Sequence, residues 1–424
     1  MLGVDKNIYD SLCESVDTVI HNGAKVDYAA PYSSHKGVNV NGTVELIKFC
    51  FEATPKSLQY LSTLAVFGPV GSLLGVTDLY EDTDMAASVE PLQSDMGYAQ
   101  SKWVAEQILL LARARGLPVS VFRPGFILCD SKTGASNTED FMVRCTMACT
   151  EIGYYPLLEN QGKEFLTVDY ASEAIITLMK KESAMNQCYH LCRPDASKHP
   201  LITEYFEMLE KHNYDLQGVD FSEWVGKLSS AVLDDPNHPM LALMPMMAET
   251  IREDRTRWEI YNNMPTFHCE NTRRELQGTG CGFTFFDDEL MSKYIGNLKA
   301  KGLLEDTAAV EDVGTPLSQR RSTFVLSKRR STLIRRESSA RGFRPSLRES
   351  ARGSVRRSAG RSMANIPIEE YDAIGPIHED GAIGEDTLPL QRKSTRQSTR
   401  QSRVVRPSVV RPSGRRVSCL SSFI

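Results

Sequence analysis

Short apolar runs alternate with helical stripes of apolar residues along the first half of the chain. The run at residues 16–20 (VDTVI) precedes polar and glycine residues, which predicts a buried strand that leads into a loop. Between about residues 34 and 53, apolar positions recur at helical spacing, and a Thr-Pro pair closes the segment. Residues 57–63 again predict a strand.

The same alternation continues after a loop with acidic, glycine and proline residues. Residues 98–115 predict an amphipathic helix ended by Gly116, and residues 118–124 predict the next strand. Residues 138–151, 170–181 and 201–212 show further helical patterns, and residues 187–191 predict a late strand.

Strands that alternate with helices predict an α/β fold with a Rossmann-like, doubly wound parallel sheet. Functional residues are then expected at the carboxyl ends of the strands. We expect residues 1–185 to form this NAD(P)-binding domain and residues 186–305 to form a smaller, mostly helical lobe that faces the substrate. The boundary between the domain and the lobe is approximate, because the lobe could be threaded through the main sheet.

The charge distribution divides the chain into two parts. The 424 residues carry a net charge of −5, but residues 316–424 hold 23 Lys and Arg against 9 Asp and Glu, which leaves −19 for residues 1–315. The basic part is rich in serine and arginine and has no sustained apolar periodicity. We therefore expect residues 306–424 to be a disordered tail.

Several classes of protein and site find no support in the sequence. No run approaches the roughly 18 apolar residues of a membrane span, and no signal segment is recognisable, so we expect a cytoplasmic protein. The ten cysteines have no C-x-x-C spacing, which favours free thiols, and the eight histidines do not cluster as metal ligands. Hydrolase, P-loop and zinc-protease motifs are also absent from the sequence.

The most informative pattern is a threonine at a strand end followed by Y-x-x-x-K at a helix start. Tyr98 and Lys102 share one helical face, and Thr63 ends the preceding strand. A lysine ammonium beside a tyrosine lowers the pKa of the phenol, and the threonine hydroxyl can hydrogen-bond the same substrate oxygen. This set of residues suits the reduction of a carbonyl group. On many helices, however, the Tyr and Lys of a Y-x-x-x-K pattern are only a pair of solvated side chains.

The chain resembles the extended short-chain dehydrogenase/reductases, and most closely their thioester reductase domains. Such domains end carboxylic acid reductases, aminoadipate reductases and some nonribosomal peptide synthetases. The matching segments span about residues 5–305 and are VDTVIHNGAKVDY (16–28), NVNGT (39–43), YLSTLAVFG (60–68), GYAQSKWVAEQ (97–107), FRPGFILCDSKTGASNTEDFMVR (122–144) and FLTVDYASEAI (165–175).

The resemblance implies roles for particular residues. Thr63, Tyr98 and Lys102 match the catalytic triad, with Tyr98 as the proton donor. The implied cofactor-binding residues are Tyr98 and Lys102 again, together with His21, Asn22, Gly23, Ala24, Asn39, Pro124, Gly125 and Phe126. Two alternatives stay open: Asn39 as a structural cap or kink residue, and Pro124 to Phe126 as an ordinary strand-to-loop break. Asp169 matches an aspartate with a structural role.

The resemblance also implies a reaction and its partners. The family transfers a hydride from NADPH to an acyl group held as a thioester on the phosphopantetheine arm of a carrier protein. The product is an aldehyde, or an alcohol after a second reduction. The cofactor supplies the difficult chemistry, and the protein supplies the geometry.

The sequence departs from the family at its start. The glycine-rich T-G-x-x-G-x-x-G turn that binds the cofactor pyrophosphate is missing, and the GPVGSLLG segment (68–75) is followed by an acidic loop rather than an apolar helix. We therefore expect the first strands of the sheet to be missing. Two explanations remain open: the chain is part of a larger synthetase-like enzyme, or it is an inactive reductase homologue.

The basic tail supplies a hypothesis of a different class. Arginine pairs precede serines in the manner of basophilic kinase sites at Ser322, Ser331, Ser338, Ser358 and Ser418. The tail could also bind acidic lipid or nucleic acid electrostatically, although it lacks the interleaved aromatics of specific nucleic-acid recognition. The alternatives are thus an interaction protein that acts through this tail, or a solvated low-complexity segment.

Overall fold

The computed structural model describes residues 2–195 and 200–305. The predicted disordered tail at 306–424, with its arginine–serine sites, lies outside the described residues. Within the described ranges, no helix is both long and apolar enough to cross a membrane, and no three metal-ligating side chains come together. The nine cysteines of these ranges are free, and eight of them are buried.

Twelve strands and thirteen α-helices are found in the described residues. The strands are β1 (Thr18–His21), β2 (Ser57–Leu61), β3 (Asp78–Leu79), β4 (Val119–Pro124), β5 (Phe126–Cys129), β6 (Tyr154–Leu157), β7 (Phe165–Thr167), β8 (Cys188–Leu191), β9 (Gln217–Asp220), β10 (Thr250–Arg252), β11 (Arg255–Thr256) and β12 (Thr266–Phe267). The helices are α1 (Lys6–Ser15), α2 (Tyr32–His35), α3 (Gly42–Phe51), α4 (Val70–Leu74), α5 (Val89–Leu92), α6 (Gly97–Ala114), α7 (Phe141–Ile152), α8 (Val168–Met179), α9 (Ile202–Lys211), α10 (Phe221–Asp234), α11 (Met244–Ala248), α12 (Glu270–Leu276) and α13 (Asp288–Ala300).

A four-stranded parallel sheet in the order β1-β2-β4-β8 forms the centre of the fold. Side chains of β4 alternate between its two faces, as the pleat requires. Val121 packs in the apolar cluster that includes Leu109 of α6, and the next residue, Phe122, packs with Ala174 of α8. Helices therefore cover both faces, which confirms the predicted α/β fold with a Rossmann-like parallel sheet.

The predicted elements agree with the observed ones except near their ends. The helix predicted over 34–53 is interrupted by a π-helix at Lys36–Asn41, between α2 and α3. The loop predicted after residue 68 contains the short helix α4, which ends at Gly75 with a positive φ of 68°. A helix of five residues offers no long apolar face, so this glycine-rich segment does not form a dinucleotide-binding turn.

A second apolar cluster lies among the later helices. It includes the fully buried Trp224 of α10 and Trp258, together with residues of α7, α9 and α13. Residues from both sides of position 185 contribute, because α7 packs in this cluster while β8 pairs with β4 in the central sheet. The two parts of the chain are therefore interleaved, which the sequence analysis had allowed. The domain boundary between residues 185 and 186 remains a prediction.

Candidate active site

Helix α6 carries two of the three predicted catalytic residues. It begins at Gly97, where a Cβ atom would lie 2.3 Å from the Pro31 carbonyl carbon and from the Tyr32 amide nitrogen, so glycine is needed for this close approach. Tyr98 follows directly and is half-buried, whereas Lys102, one turn further on, is 2% exposed. The two side chains lie on one face of the helix, as their spacing predicted.

Thr63 follows the end of β2 and faces the same space as Tyr98. Its side-chain oxygen accepts a hydrogen bond of 3.2 Å from the Ala65 amide and so caps a short 3₁₀-helix at Leu64–Phe67, which is why β2 ends at Leu61 rather than at residue 63. Burial raises the pKa of Tyr98 to about 12, and a hydrogen bond from Thr63 lowers it by less than burial raises it. The two hydroxyl groups are therefore neighbours.

The Lys102 ammonium has a different partner from the one that the sequence suggested. Its Nζ donates a 2.6 Å hydrogen bond to the Leu61 carbonyl oxygen and lies 4.1 Å from the centroid of the Tyr60 ring. Burial lowers the pKa of Lys102 to about 7, although the charge of Glu106 raises it. With a pKa of about 7 this amine is only about half charged at neutral pH, and it donates to the Leu61 carbonyl, so the expected lowering of the Tyr98 pKa is not found.

A cavity of about 490 Å³ brings together the residues predicted to surround the reacting carbonyl. Thr63, Tyr98, Pro124, Gly125 and Phe126 line it. Much of the remaining lining is apolar or aromatic: Val26, Tyr28, Met96, Phe141, Met246, Trp258, Tyr261, Met264 and Phe267. The cavity therefore suits an apolar acyl group near two hydroxyl donors.

A separate groove of about 1320 Å³ contains His21, Asn22, Gly23 and Ala24. His21 is the last residue of β1 and the other three follow it, so all four lie at the carboxyl end of the strand, where open α/β sheets bind ligands. Burial lowers the pKa of His21 to about 4, with a smaller lowering by the charge of Lys102, so this imidazole is neutral at pH 7.

The groove and the cavity adjoin. Val26, Tyr28, Asp140 and Phe141 line both. Burial raises the pKa of Asp140 to about 6, while its backbone hydrogen bonds at the start of α7 lower it. The shared lining places the two predicted halves of a dinucleotide site next to each other.

Asn39 and Lys102 are buried and do not line either space. The Asn39 side chain accepts a 2.7 Å hydrogen bond from the Lys25 amide and donates to the Lys25 carbonyl and to Ser101 of α6. It lies in the π-helix, a form that is frequent at functional sites. These contacts fit the structural alternative for Asn39, because the side chain ties the loop after β1 to the catalytic helix.

The Pro124–Phe126 segment is both a strand break and a cavity wall. The Gly125 amide donates to Leu191 of β8, and the Phe126 amide donates a 2.6 Å hydrogen bond to the Glu164 carbonyl. A Cβ at Gly125 would lie 2.4 Å from that same carbonyl oxygen, so a side chain there has no room. The turn away from the sheet brings this backbone into the lining of the cavity.

Some residues of the site have no signal in a local pattern. Lys163 lines the cavity, and burial lowers its pKa to about 8, but no motif marks it. Glu106 and Arg123 form a buried ion pair. Glu106 was detectable in principle, because it continues the face of Tyr98 and Lys102 at the same four-residue spacing. Asp169 accepts a 3.0 Å hydrogen bond from the Ser131 amide, which fits the structural role predicted for it.

Comparisons with known proteins identify relatives over most of the described chain. Residues 1–175 match the family model described as "Male sterility protein". The chain is 38% identical over 304 residues to the non-canonical nonribosomal peptide synthetase FrzA of a Cladobotryum species, which covers 71% of this chain and 29% of that protein. It is 36% identical over 307 residues to the aldehyde reductase lnaA of Aspergillus flavus, with 71% and 29% covered.

A solved structure gives the same assignment. The terminal R domain from the myxalamid PKS-NRPS biosynthetic pathway is 30% identical, with a TM-score of 0.62, 72% of this chain covered and 73% of that domain. By contrast, the chain spans under a third of the length of the two curated relatives, so the likeness concerns one of their parts. The chain therefore belongs to the male sterility protein family of nicotinamide-cofactor-binding domains and, within it, to the terminal reductase (R) domains of nonribosomal peptide synthetases.

Proposed function

We propose that the chain uses NADPH to reduce an acyl group, held as a thioester on the phosphopantetheine arm of a carrier protein, to an aldehyde or an alcohol. The observation that carries this proposal is that Thr63 and Tyr98, two side chains with hydroxyl donors, line the same cavity together with many apolar side chains. The relatives support it, because they are named as peptide synthetases, a terminal reductase domain and an aldehyde reductase.

In this proposal Tyr98 is the acid of the reaction. When NADPH is bound, it supplies the hydride. The Tyr98 phenol donates its proton to the oxygen of the acyl group as negative charge develops there, and the Thr63 hydroxyl donates a second hydrogen bond to the same oxygen. The C–S bond of the resulting thiohemiacetal then breaks, its hydroxyl proton returns to Tyr98, and the phosphopantetheine sulfur leaves as a thiolate, which releases the aldehyde. The many apolar side chains of the lining lower the local dielectric, which strengthens both interactions. The family resemblance assigns Lys102 to the ribose of the cofactor, whereas in this structure its ammonium is buried, lines neither the cavity nor the groove, and donates to the Leu61 carbonyl.

The described residues fit the nicotinamide end of this cofactor. Two hydroxyl donors and the backbone of Pro124–Phe126 converge on the cavity, and the loop of His21–Ala24 lines the adjoining groove. The sequence holds no glycine-rich turn for the pyrophosphate. Binding of the cofactor by this chain is therefore the first point to test.

A titration of the purified chain with NADPH, followed by nicotinamide fluorescence, tests cofactor binding. We expect saturable binding that Lys102→Ala weakens, and a parallel titration with NADH measures which of the two nucleotides the chain prefers. Absence of binding to either nucleotide would contradict the proposal for this chain and would point to one of the two explanations left open: a part of a larger enzyme, or an inactive homologue.

Turnover tests the role of Tyr98. With an acyl thioester of a phosphopantetheine carrier protein as substrate, Tyr98→Phe should lower the rate of aldehyde formation by about 10²–10⁴-fold, which is the usual contribution of a positioned acid. Tyr28→Phe is the matched control, because Tyr28 lines the same cavity with its ring centroid 6.5 Å from that of Tyr98. Normal turnover by Tyr98→Phe would refute the assignment.

A further inference from the structure

The carboxylate of Glu106 lies at the junction of three elements that carry active-site residues. Glu106 is fully buried on α6, one turn after Lys102 and two turns after Tyr98. Residues at i, i+4 and i+8 of a helix share one face, so this face presents a phenol, an amine and a carboxylate in succession.

Both oxygens of this carboxylate are hydrogen-bonded to residues of other elements. Oε2 accepts a 2.6 Å hydrogen bond from the hydroxyl of Ser62, which immediately precedes Thr63. Oε1 accepts a 2.8 Å hydrogen bond from Nε of Arg123, which immediately precedes Pro124 at the end of β4. Glu106 thus connects the strand ends that carry Thr63 and the Pro124–Phe126 segment to the helix that carries Tyr98.

The neighbourhood makes the charge of Glu106 important as well as its shape. Arg123 is 1% exposed and Lys102 is 2% exposed, so two cationic groups are buried around one carboxylate. The groups that face Lys102 are Tyr98 and Glu106 on its own helix, the ring of Tyr60 on β2, and His21 on β1. Of these, the carboxylate of Glu106 favours the charged form of Lys102.

We propose that Glu106 is a positioning residue for the reduction: through Ser62 and Arg123 it fixes the Thr63 strand end and the Pro124–Phe126 segment relative to the helix that carries Tyr98, and from one turn along that helix its charge favours the ammonium form of Lys102. This inference rests on the proposed function. It extends that function, because it assigns a role in the reaction to a residue that does not line the cavity. A purely structural ion pair would stabilise the fold without altering the protonation of Lys102.

The decisive measurement does not depend on turnover. The full chain is labelled with ¹³C at the ε-carbon of lysine, the Lys102 signal is assigned with Lys102→Arg, and its pKa is read from the NMR shift as a function of pH. In Glu106→Gln the amide preserves the shape and removes the charge, so the pKa of Lys102 should fall by about 1–3 pH units. An unchanged pKa would overturn the proposal.

Glu81→Gln is the matched control. Glu81 is also a buried carboxylate, but its side chain accepts hydrogen bonds from the amides of His190, Asn271 and Thr272 rather than from Ser62 and Arg123, and the carboxylate whose charge acts on Lys102 is that of Glu106. The pKa of Lys102 should be the same in this variant as in the wild type. An equal fall in both variants would mean a general loss of packing and would contradict a specific role for Glu106.

Kinetics then separate positioning from folding. We expect kcat of Glu106→Gln to fall by up to roughly 10²-fold at neutral pH, with a smaller change in KM, because misplacement of catalytic groups costs about that much. The double variant Glu106→Leu/Arg123→Met replaces the ion pair with apolar side chains and tests the case in which Glu106→Gln fails to fold. A folded double variant with wild-type kcat would overturn the proposal. If the wild type itself shows no turnover, the proposed function is refuted, and the NMR titration alone then tests whether Glu106 controls the protonation of Lys102.

Discussion

Replacement of Lys102 with methionine should stabilise the fold by an amount that depends on pH. Lys102 is buried, and its pKa falls from the ordinary 10.5 to about 7 because burial disfavours the charged amine. At about 1.4 kcal/mol per pH unit, this difference corresponds to roughly 5 kcal/mol that the folded state loses while the amine remains charged. Methionine has a similar length and no charge to bury.

The direction of the effect follows from the proton balance. Between about pH 7 and 10.5 the unfolded chain holds the Lys102 proton and the folded chain has released it, so the free energy of unfolding of the wild type rises with pH in this window. Below pH 7 both states hold the proton, and the full burial penalty remains. Loss of the hydrogen bond to Leu61 costs the variant about 1–3 kcal/mol at every pH. We therefore expect Lys102→Met to be more stable than the wild type by roughly 2–4 kcal/mol at pH 6 and less stable above pH 10.

Urea denaturation at pH 6, 8 and 10, followed by tryptophan fluorescence, measures this difference. Trp224 and Trp258 are 0% and 1% exposed, so unfolding changes their surroundings completely. Lys163→Met is the matched control: the pKa of Lys163 is about 8, so its pH-dependent window should begin about one pH unit higher. A difference in stability between Lys102→Met and the wild type that is constant from pH 6 to 10 would refute the reasoning.

Two further substitutions test the contacts around the site. Arg123→Met leaves the buried Glu106 carboxylate without its cation and should destabilise the fold by about 3–5 kcal/mol in a thermal or urea denaturation. Most of this loss should be recovered when Glu106→Leu is added, because no unpaired charge then remains buried. No recovery would contradict an electrostatic origin of the loss. Asn39→Ala removes the hydrogen bonds to Lys25 and Ser101, so we expect a loss of about 1–3 kcal/mol in stability and weaker NADPH binding in the fluorescence titration; unchanged binding would contradict a role in holding the loop.

Much of the site was predictable because its geometry follows from regular spacing. A four-residue interval on one helix is enough to bring Tyr98 and Lys102 to the same face, and the order of strands and helices brings Thr63 to the same edge of the sheet. The end of β2 was less certain, because Thr63 could continue the strand or cap a turn, and the capping hydrogen bond to Ala65 decides between them.

The orientation of the Lys102 ammonium was not predictable from the sequence. It depends on the Leu61 carbonyl and the Tyr60 ring, which belong to a strand about 40 residues away and are brought close only by tertiary packing. The same holds for Lys163 in the cavity wall. Local spacing in the sequence indicates which side chains can come close together, whereas burial and contacts distant in the sequence determine whether those side chains are charged.

The buried charges also bear on whether the chain has been released from selection for catalysis. A sequence drifting without that selection gains stability whenever Lys102 is exchanged for an apolar residue, and it loses little when Glu106 and Arg123 are exchanged together. Such exchanges are accessible by mutation and would be tolerated by the fold. The proposed function therefore predicts that relatives selected for the reduction retain Lys102, Glu106 and Arg123 together, whereas the stability of the fold alone does not require them.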